Sequence, residues 1–372
     1  MNILVINISL RPESKLKLFP IGLGYITSAM KRAGYKFDLL DIDAHRYSDQ
    51  QVEKLIRAKK YDVVCMGCIV TGYGKVKGLA KLIKEIHPHS AIIVGNSVAT
   101  SIVDILLTKT HADIAVMGEG DETIVDLLDA ISKCRPLEEV QGICFKKDGS
   151  VVKNPPRPHI KDISTIPFID YDIFDIEIYL ENSKNSACEP LMVPRDEVRW
   201  LPINTARGCI ANCGFCYHVF QKIPYRYRSA DSIVAEIKLL VKKYSLNQIL
   251  FYDELTFYSK KQILNLVQKF RDENFKFTWA AECRADLFNE ESDIDILLKM
   301  KEANCVRVSY SLESADESIL KDMNKHLTVD QFVRQTELVH KSGMAVSTSL
   351  VLGYPQETPE TIRKTIQCCI DN

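Results

Sequence analysis

Three cysteines are the residues of this chain best placed to do chemistry. They lie in Arg207-Gly208-Cys209-Ile210-Ala211-Asn212-Cys213-Gly214-Phe215-Cys216-Tyr217, at C-x3-C-x2-C spacing. Three thiolates so spaced can hold three corners of a [4Fe–4S] cube, and without a fourth cysteine nearby one iron stays open to a small molecule. A zinc site built on C-x2-C needs a second ligand pair at a suitable distance, and none follows. With twelve cysteines in 372 residues, chance makes this pattern in roughly one chain in a hundred.

The elements that would carry this stretch alternate strand and helix. From Trp200 onward, strands are expected at 200–205, 248–252, 277–281, 306–310 and 345–352. Helices are expected at 231–243, 260–273, 293–302 and 328–342, and from about Thr358. Polar groups gather behind the strands, at Asp253-Glu254, Glu282-Cys283-Arg284, Glu313-Ser314 and Gly353-Tyr354-Pro355. Barrel active sites lie at those carboxyl ends.

Ahead of this half, residues 1–153 read as a Rossmann-like (flavodoxin-like) parallel sheet. Five short apolar strands, at 3–8, 37–40, 63–66, 91–94 and 114–116, each precede a helix, and a hairpin at 140–152 closes the series. Ligands of such sheets bind at the strand carboxyl ends, where small residues let a large flat molecule approach the backbone. No G-x-G-x-x-G fingerprint is present, which argues against NAD. Residues 154–199, opening Asn154-Pro155-Pro156-Arg157-Pro158, read as a linker. Its acids Asp170, Asp172, Asp175 and Glu177 read as solvated.

The cysteine stretch resembles the cluster motif of radical S-adenosylmethionine (SAM) enzymes, C-x3-C-x-aromatic-C, with Phe215 in the aromatic slot. The resemblance implies that SAM chelates the open iron and that the reduced cluster cleaves it to methionine and a 5′-deoxyadenosyl radical. It extends over 200–372, as a partial (β/α)6 TIM-like barrel. Asp253-Glu254 takes the place of the family's Gly-Gly-Glu motif, without the glycines. Glu313 and Ser314 match the element that holds ribose and methionine. Gly353 opens the turn near adenine, where Ser349 departs from a glycine often found. Arg284 suits the SAM carboxylate, though a structural salt bridge explains it equally. Lys325 and His326 read as solvent-exposed.

The first half resembles the cobalamin-binding domain that precedes the barrel in one subgroup of that family. The matching residues are Pro20-Ile21-Gly22-Leu23-Gly24-Tyr25 with Gly34, Asp41-Ile42-Asp43, and Gly118-Glu119-Gly120-Asp121-Glu122. This implies a cobalamin site on Ser9, Leu10, Gly22, Gly67, Thr71, Gly95, Asn96, Gly118, Glu119 and Gly120. Cobalt-ligating domains carry D-x-H-x-x-G after the first strand. Here the nearest string, Asp43-Ala44-His45-Arg46-Tyr47-Ser48, follows the second strand and lacks the glycine. His45 is read as a surface residue, and no histidine is expected on the cobalt. Cys65 and Cys68 read as packed thiols, Cys68 also as a wall of the ligand loop.

The combined resemblance implies an enzyme using a [4Fe–4S] cluster, SAM and cobalamin, most commonly a methyltransferase acting on an unactivated carbon or phosphorus centre. The alternatives are a radical cyclase or ring-rearranging enzyme, of the anaerobic porphyrin cyclase kind, and a non-catalytic cobalamin or Fe–S sensor. The implied partners are a small-molecule or natural-product substrate and an electron donor such as flavodoxin or ferredoxin. A net charge of −1 argues against nucleic-acid or membrane surfaces as partners. No apolar run reaches about 18 residues. Met1-Asn2-Ile3-Leu4-Val5-Ile6 lacks the basic flank and cleavage site of a signal peptide. Cysteines without a secretory signal, and an oxygen-sensitive cluster, point to an anaerobic cytoplasm. Five barrel strands where six are expected suggest a chain truncated at its C-terminus.

Overall fold

The structure, a computed structural model, describes residues 1–217 and 223–372. Two compact units make up the chain. One is Met1–Lys161 with Thr165–Asn182, the other Asp162–Ser164 with Ser183–Asn372. The stretch 154–199 is therefore divided between the units.

In the first unit, strands β1 (Ile3–Asn7), β2 (Phe37–Asp41), β3 (Val63–Gly67), β4 (Ala91–Gly95) and β5 (Ile114–Val116) run parallel in the order β2-β1-β3-β4-β5. Hairpin β6 (Ile143–Lys147) and β7 (Ser150–Lys153) extends this sheet antiparallel at β5. Its turn places Asp148 and Gly149 at φ 49° and 78°, the left-handed pair that a tight hairpin favours. Successive side chains of β1 enter opposite cores: Leu4 and Ile6 one, Ile3 and Val5 the other. Burial on both faces is why these strands are unbroken apolar runs.

Helices α1 (Ile21–Arg32), α2 (Ile42–His45), α3 (Asp49–Arg57), α4 (Tyr73–Ile86), α5 (Ser97–Ser101), α6 (Val103–Lys109) and α7 (Thr123–Ser132) follow in turn. Met30 of α1 and Leu127 of α7 cover one face, Ile56, Ile83 and Leu107 of α3, α4 and α6 the other. The single helix expected at 98–107 is broken at Ile102 (φ −132°, ψ 38°) into α5 and α6. Residues 165–182 complete this unit through α8 (Ile176–Asn182). Phe19 packs on Tyr171, Phe174 and Tyr179 at ring distances of 4.7, 4.8 and 5.5 Å, and Tyr179 Oη donates to Asp41 Oδ2 at 2.6 Å.

The second unit holds strand β8 (Trp200–Ile203), the short antiparallel pair β9 (Ala206–Arg207) and β10 (Arg226–Tyr227), and strands β11 (Gln248–Phe251), β12 (Thr278–Glu282), β13 (Cys305–Ser309) and β14 (Ala345–Ser347). The order β14-β13-β12-β11-β8 is parallel throughout, an open sheet of five strands. Helices α9 (Ala230–Tyr244), α10 (Lys260–Asp272), α11 (Ile294–Glu302), α12 (Glu317–Asp322), α13 (Val329–Lys341) and α14 (Pro359–Asp371) alternate with the strands. Trp279 packs against Phe270 of α10 at 5.6 Å. On the opposite face Leu250, Ala280 and Val306 close around Cys188. The last strand is shorter than its apolar run, Ala345–Ser347 rather than 345–352, with an isolated bridge between Glu313 and Leu350 beyond it. Among the described residues no helix is long and apolar enough to cross a membrane.

Candidate active site

The cysteine loop leaves β8 through a turn that Asp253 holds from the end of β11. Its carboxylate accepts from Thr205 Oγ1 (2.6 Å), Thr205 N (2.8 Å), Ala206 N (3.0 Å) and Asn204 Nδ2 (3.2 Å). Burial pushes this acid up to about 6, against the lowering effect of those donors. Glu254 Oε2 then accepts from Gly208 N at 3.2 Å, directly before Cys209. Gly208 sits at φ 88°, where a side chain would be strained. The acidic pair thus fixes where the loop begins.

A second clamp comes from the segment after α12. Gly214 N donates to Met323 O at 2.7 Å, and Asn324 Nδ2 to Asn212 O at 2.8 Å. Lys325 Nζ pairs with Glu313 Oε1 at 2.9 Å and stands 5.8 Å above the Phe215 ring. Arg284 forks onto Asp286 (2.9 to 3.2 Å) and donates to the carbonyls of Lys325 (3.2 Å) and His326 (2.9 Å). Lys325, expected in solvent, keeps only 13% of its side chain exposed; His326 is exposed. No local sequence signal marks Lys325, because its partners lie on the cysteine loop and at Glu313. Glu313 adopts φ 65°, and Ser314 Oγ lies 3.5 Å from Thr365 Oγ1 of α14. Gly353 is at φ 85°, and Tyr354 Oη next to it donates to Asp322 O at 3.0 Å.

All three cysteines are thiols outside any disulfide; Cys209 and Cys213 are half-buried and Cys216 is exposed. Burial raises the Cys213 and Cys216 thiols, the neighbouring cysteines and Glu313 raise them further, and Lys325 opposes this at both, joined by Arg284 at Cys213. Among the described residues no three His, Cys, Asp or Glu side chains converge as ligands of one metal ion. A cubane asks for something else, with each thiolate on its own iron. Three accessible thiols on one loop, backed by two cations that favour the thiolate form, fit that group.

In the first unit, Ser9 and Leu10 follow β1, Gly67 ends β3 and Thr71 follows it, Gly95 ends β4 and Asn96 follows it, and Gly118, Glu119 and Gly120 follow β5. In the order β2-β1-β3 the direction in which strands are added reverses between β1 and β3, the switch point where ligands of open α/β sheets settle. Arg46 shapes the loop after β1: it pairs with Asp43 and donates to Ser9 Oγ (2.8 Å), Ser14 O (3.1 Å) and Leu16 O (2.5 Å). A Cβ on Gly72 would meet Cys68 Sγ at 2.0 Å and Leu10 Cδ2 at 2.7 Å, so these loops touch with no room for a side chain. Leu10, Leu18, Ile69 and Val70 leave apolar surface exposed here, and the space over Gly95 and Gly118 is open. A broad apolar ring system fits such a surface.

Not every expected residue faces that space. Glu119 is buried and accepts from Ile160 N at 2.9 Å, with His159 Nδ1 at 3.5 Å. Gly120 makes room for Ile26 of α1, whose Cδ1 lies 2.7 Å from a Cβ built there. Gly22 is exposed on α1. Asn96 caps α5, its side chain accepting from Ser97 N at 2.5 Å. His45 ends α2, is exposed, and stacks on Tyr47 at 5.0 Å. Cys65 and Cys68 are buried, and burial raises them to about 12 and about 11.

Comparison with known proteins matches residues 203–369 to the radical SAM superfamily and residues 10–128 to the B12 binding domain. An uncharacterized methyltransferase of Pyrococcus horikoshii is 28% identical over 350 residues, which cover 94% of this chain and 72% of that protein. The anaerobic magnesium-protoporphyrin IX monomethyl ester cyclase of Rubrivivax gelatinosus is 26% identical over 360 residues, covering 95% of this chain and 62% of the cyclase. Among solved structures, the radical SAM methyltransferase TsrM from Kitasatospora setae shares the fold at a TM-score of 0.77 and 18% identity, over 100% of this chain and 71% of TsrM. The cobalamin-dependent SAM radical enzyme OxsB does so at 0.79 and 17%, over 99% of this chain and 51% of OxsB. The chain thus carries a B12-binding domain ahead of a radical SAM domain, the domain order of a cobalamin-binding radical SAM enzyme.

Proposed function

We propose that this chain is the cofactor-binding core of a cobalamin-dependent radical SAM methyltransferase acting on a small molecule. When bound, the cluster supplies reductive cleavage of SAM and cobalamin supplies a transferable methyl group. Cys209, Cys213 and Cys216 hold the cluster; Asp253 and Glu254 fix the start of their loop, and Met323 and Asn324 fix its middle. Lys325, with Arg284 behind it, keeps positive charge beside the thiolates. Glu313, Ser314 and Gly353 stand at the strand ends where SAM would lie. The observation that carries this reading is the three-cysteine loop fixed at the carboxyl ends of a parallel sheet, on a chain that also has a B12-binding domain.

Similarity to the cyclase favours a second reading, radical ring closure, which shares the cluster and SAM. The test is anaerobic reconstitution of the full chain, with 5′-deoxyadenosine and S-adenosylhomocysteine measured by mass spectrometry. Both products should appear, and the triple Cys209→Ala, Cys213→Ala, Cys216→Ala variant should make no 5′-deoxyadenosine. 5′-Deoxyadenosine alone favours the cyclase, and neither product sinks both readings. An external reductant of the flavodoxin or ferredoxin class is part of either one.

A further inference from the structure

Two charged side chains on the face of the second sheet opposite α10 are not used by the cluster or its clamps. Glu282 ends β12 and Arg307 lies within β13. The register pairs Ala280 with Arg307 and Glu282 with Ser309. Side chains two apart share a strand face, so Glu282 and Arg307 are diagonal neighbours on the face that carries Ala280. Among the described residues Ala280 on that face packs on Cys188 and Val306, while Trp279 turns to α10 on the other side. Both residues are half-buried. Arg307 Nε is buried without a hydrogen-bond partner. Neither the Glu282 carboxyl nor the Arg307 guanidinium makes a hydrogen bond or an ion pair among the described residues. The Arg307 charge acts on Glu282, yet the two do not close into a salt bridge.

Leaving such groups unmatched in a protein interior costs folding free energy, and sites that bind polar molecules accept that cost. We propose that Glu282 and Arg307 form the substrate-reading element of this sheet. Arg307 would take a terminal oxyanion, carboxylate or phosphoryl, through its planar N–H fork. Glu282 would accept from a hydroxyl or N–H a short distance along the same molecule. The unmatched donor sets one demand and the unmatched acceptor the other, so a purely apolar substrate satisfies neither. Leu250, Ala280 and Val306 form an apolar floor beneath them.

This inference rests on the proposed reading of the sheet as the reaction chamber, and its test separates the two. Acetate and methylphosphonate are offered to the full chain and followed by ligand-observed NMR, which also tells the two oxyanion sources apart. At least one probe should bind. Arg307→Met should weaken it about tenfold or more, Arg307→Lys should restore part of the loss, and Glu282→Gln, compared at pH 8 where the wild-type carboxyl is ionised, should tighten binding by removing a neighbouring negative charge. No binding to the wild type, or equal binding to wild type and Arg307→Met, overturns the proposal. If Arg307→Met does not fold, unchanged binding in Glu282→Gln does so. A wild type that makes no 5′-deoxyadenosine but binds the probe through Arg307 removes the radical reading and keeps the anion site.

Discussion

Glu282 ties stability to pH. Burial raises its carboxyl from the ordinary 4.5 to about 7, Asp253 adds to this, and Arg307 acts against it. The folded state therefore keeps a proton that the unfolded chain gives up. That contribution is complete below about pH 4.5 and is lost as pH rises through about 7. Its size is of the order of 3 kcal/mol. Chemical denaturation of the second unit should show stability falling from pH 5 to pH 8, and Glu282→Gln should remove most of that slope; an unchanged slope would assign it to other groups. Asp253 tests a different quantity. Asn204 Nδ2 keeps a bond to Tyr252 O, but the bonds from Thr205 N, Thr205 Oγ1 and Ala206 N go with the carboxylate, so Asp253→Ala should destabilise the second unit by about 2–4 kcal/mol. A loss below 1 kcal/mol in urea unfolding would show that the turn holds without it.

Among the elements, the cysteine loop and the segment after α12 are linked by the backbone bond from Gly214 N to Met323 O and by the Asn324 side chain on Asn212 O, and Arg284 holds that segment by two carbonyls. In Arg284→Ala, hydrogen exchange should quicken at 323–326 and at 208–216 together. Exchange confined to 284–287 would show the two segments to be independent. Arg46 does similar work in the first unit, where its removal frees the loop after β1. Arg46→Ala should weaken hydroxocobalamin binding about tenfold, as read by equilibrium dialysis.

These elements also show what was legible beforehand. The strands of the first unit stood out because both their faces are buried, and the hairpin because Asp148-Gly149 suits two left-handed positions. The cysteines stood out by spacing. Lys325 did not, because its burial is set by Glu313, twelve residues away, and by Phe215, far earlier in the chain. Glu282 and Arg307 share a face only through the β12–β13 register, and their neighbouring residues give no hint of that pairing. Residues 165–182 looked like linker because their aromatic rings follow no strand or helix period. Their partner is Phe19.

At the scale of the whole chain, the proposed cobalamin residues belong to one compact unit and the cluster residues to the other. The triple cysteine variant should therefore keep hydroxocobalamin affinity within about twofold of wild type by equilibrium dialysis, the change expected when sites carried by separate units act independently. A large loss would mean that the two sites are coupled.

The placement of α8 and the rings before it in the first unit also sets a sequence of events in time. A ribosome that has released residues 1–153 has delivered every strand of the first sheet, but not Tyr171, Phe174 or Tyr179. Phe19 and Asp41 then wait for the chain to grow to Asn182. At ordinary synthesis speeds of about 5–20 residues per second, that wait is on the order of seconds. It is long compared with hydrophobic collapse, so the nascent sheet spends that interval with an aromatic socket open to whatever meets it first.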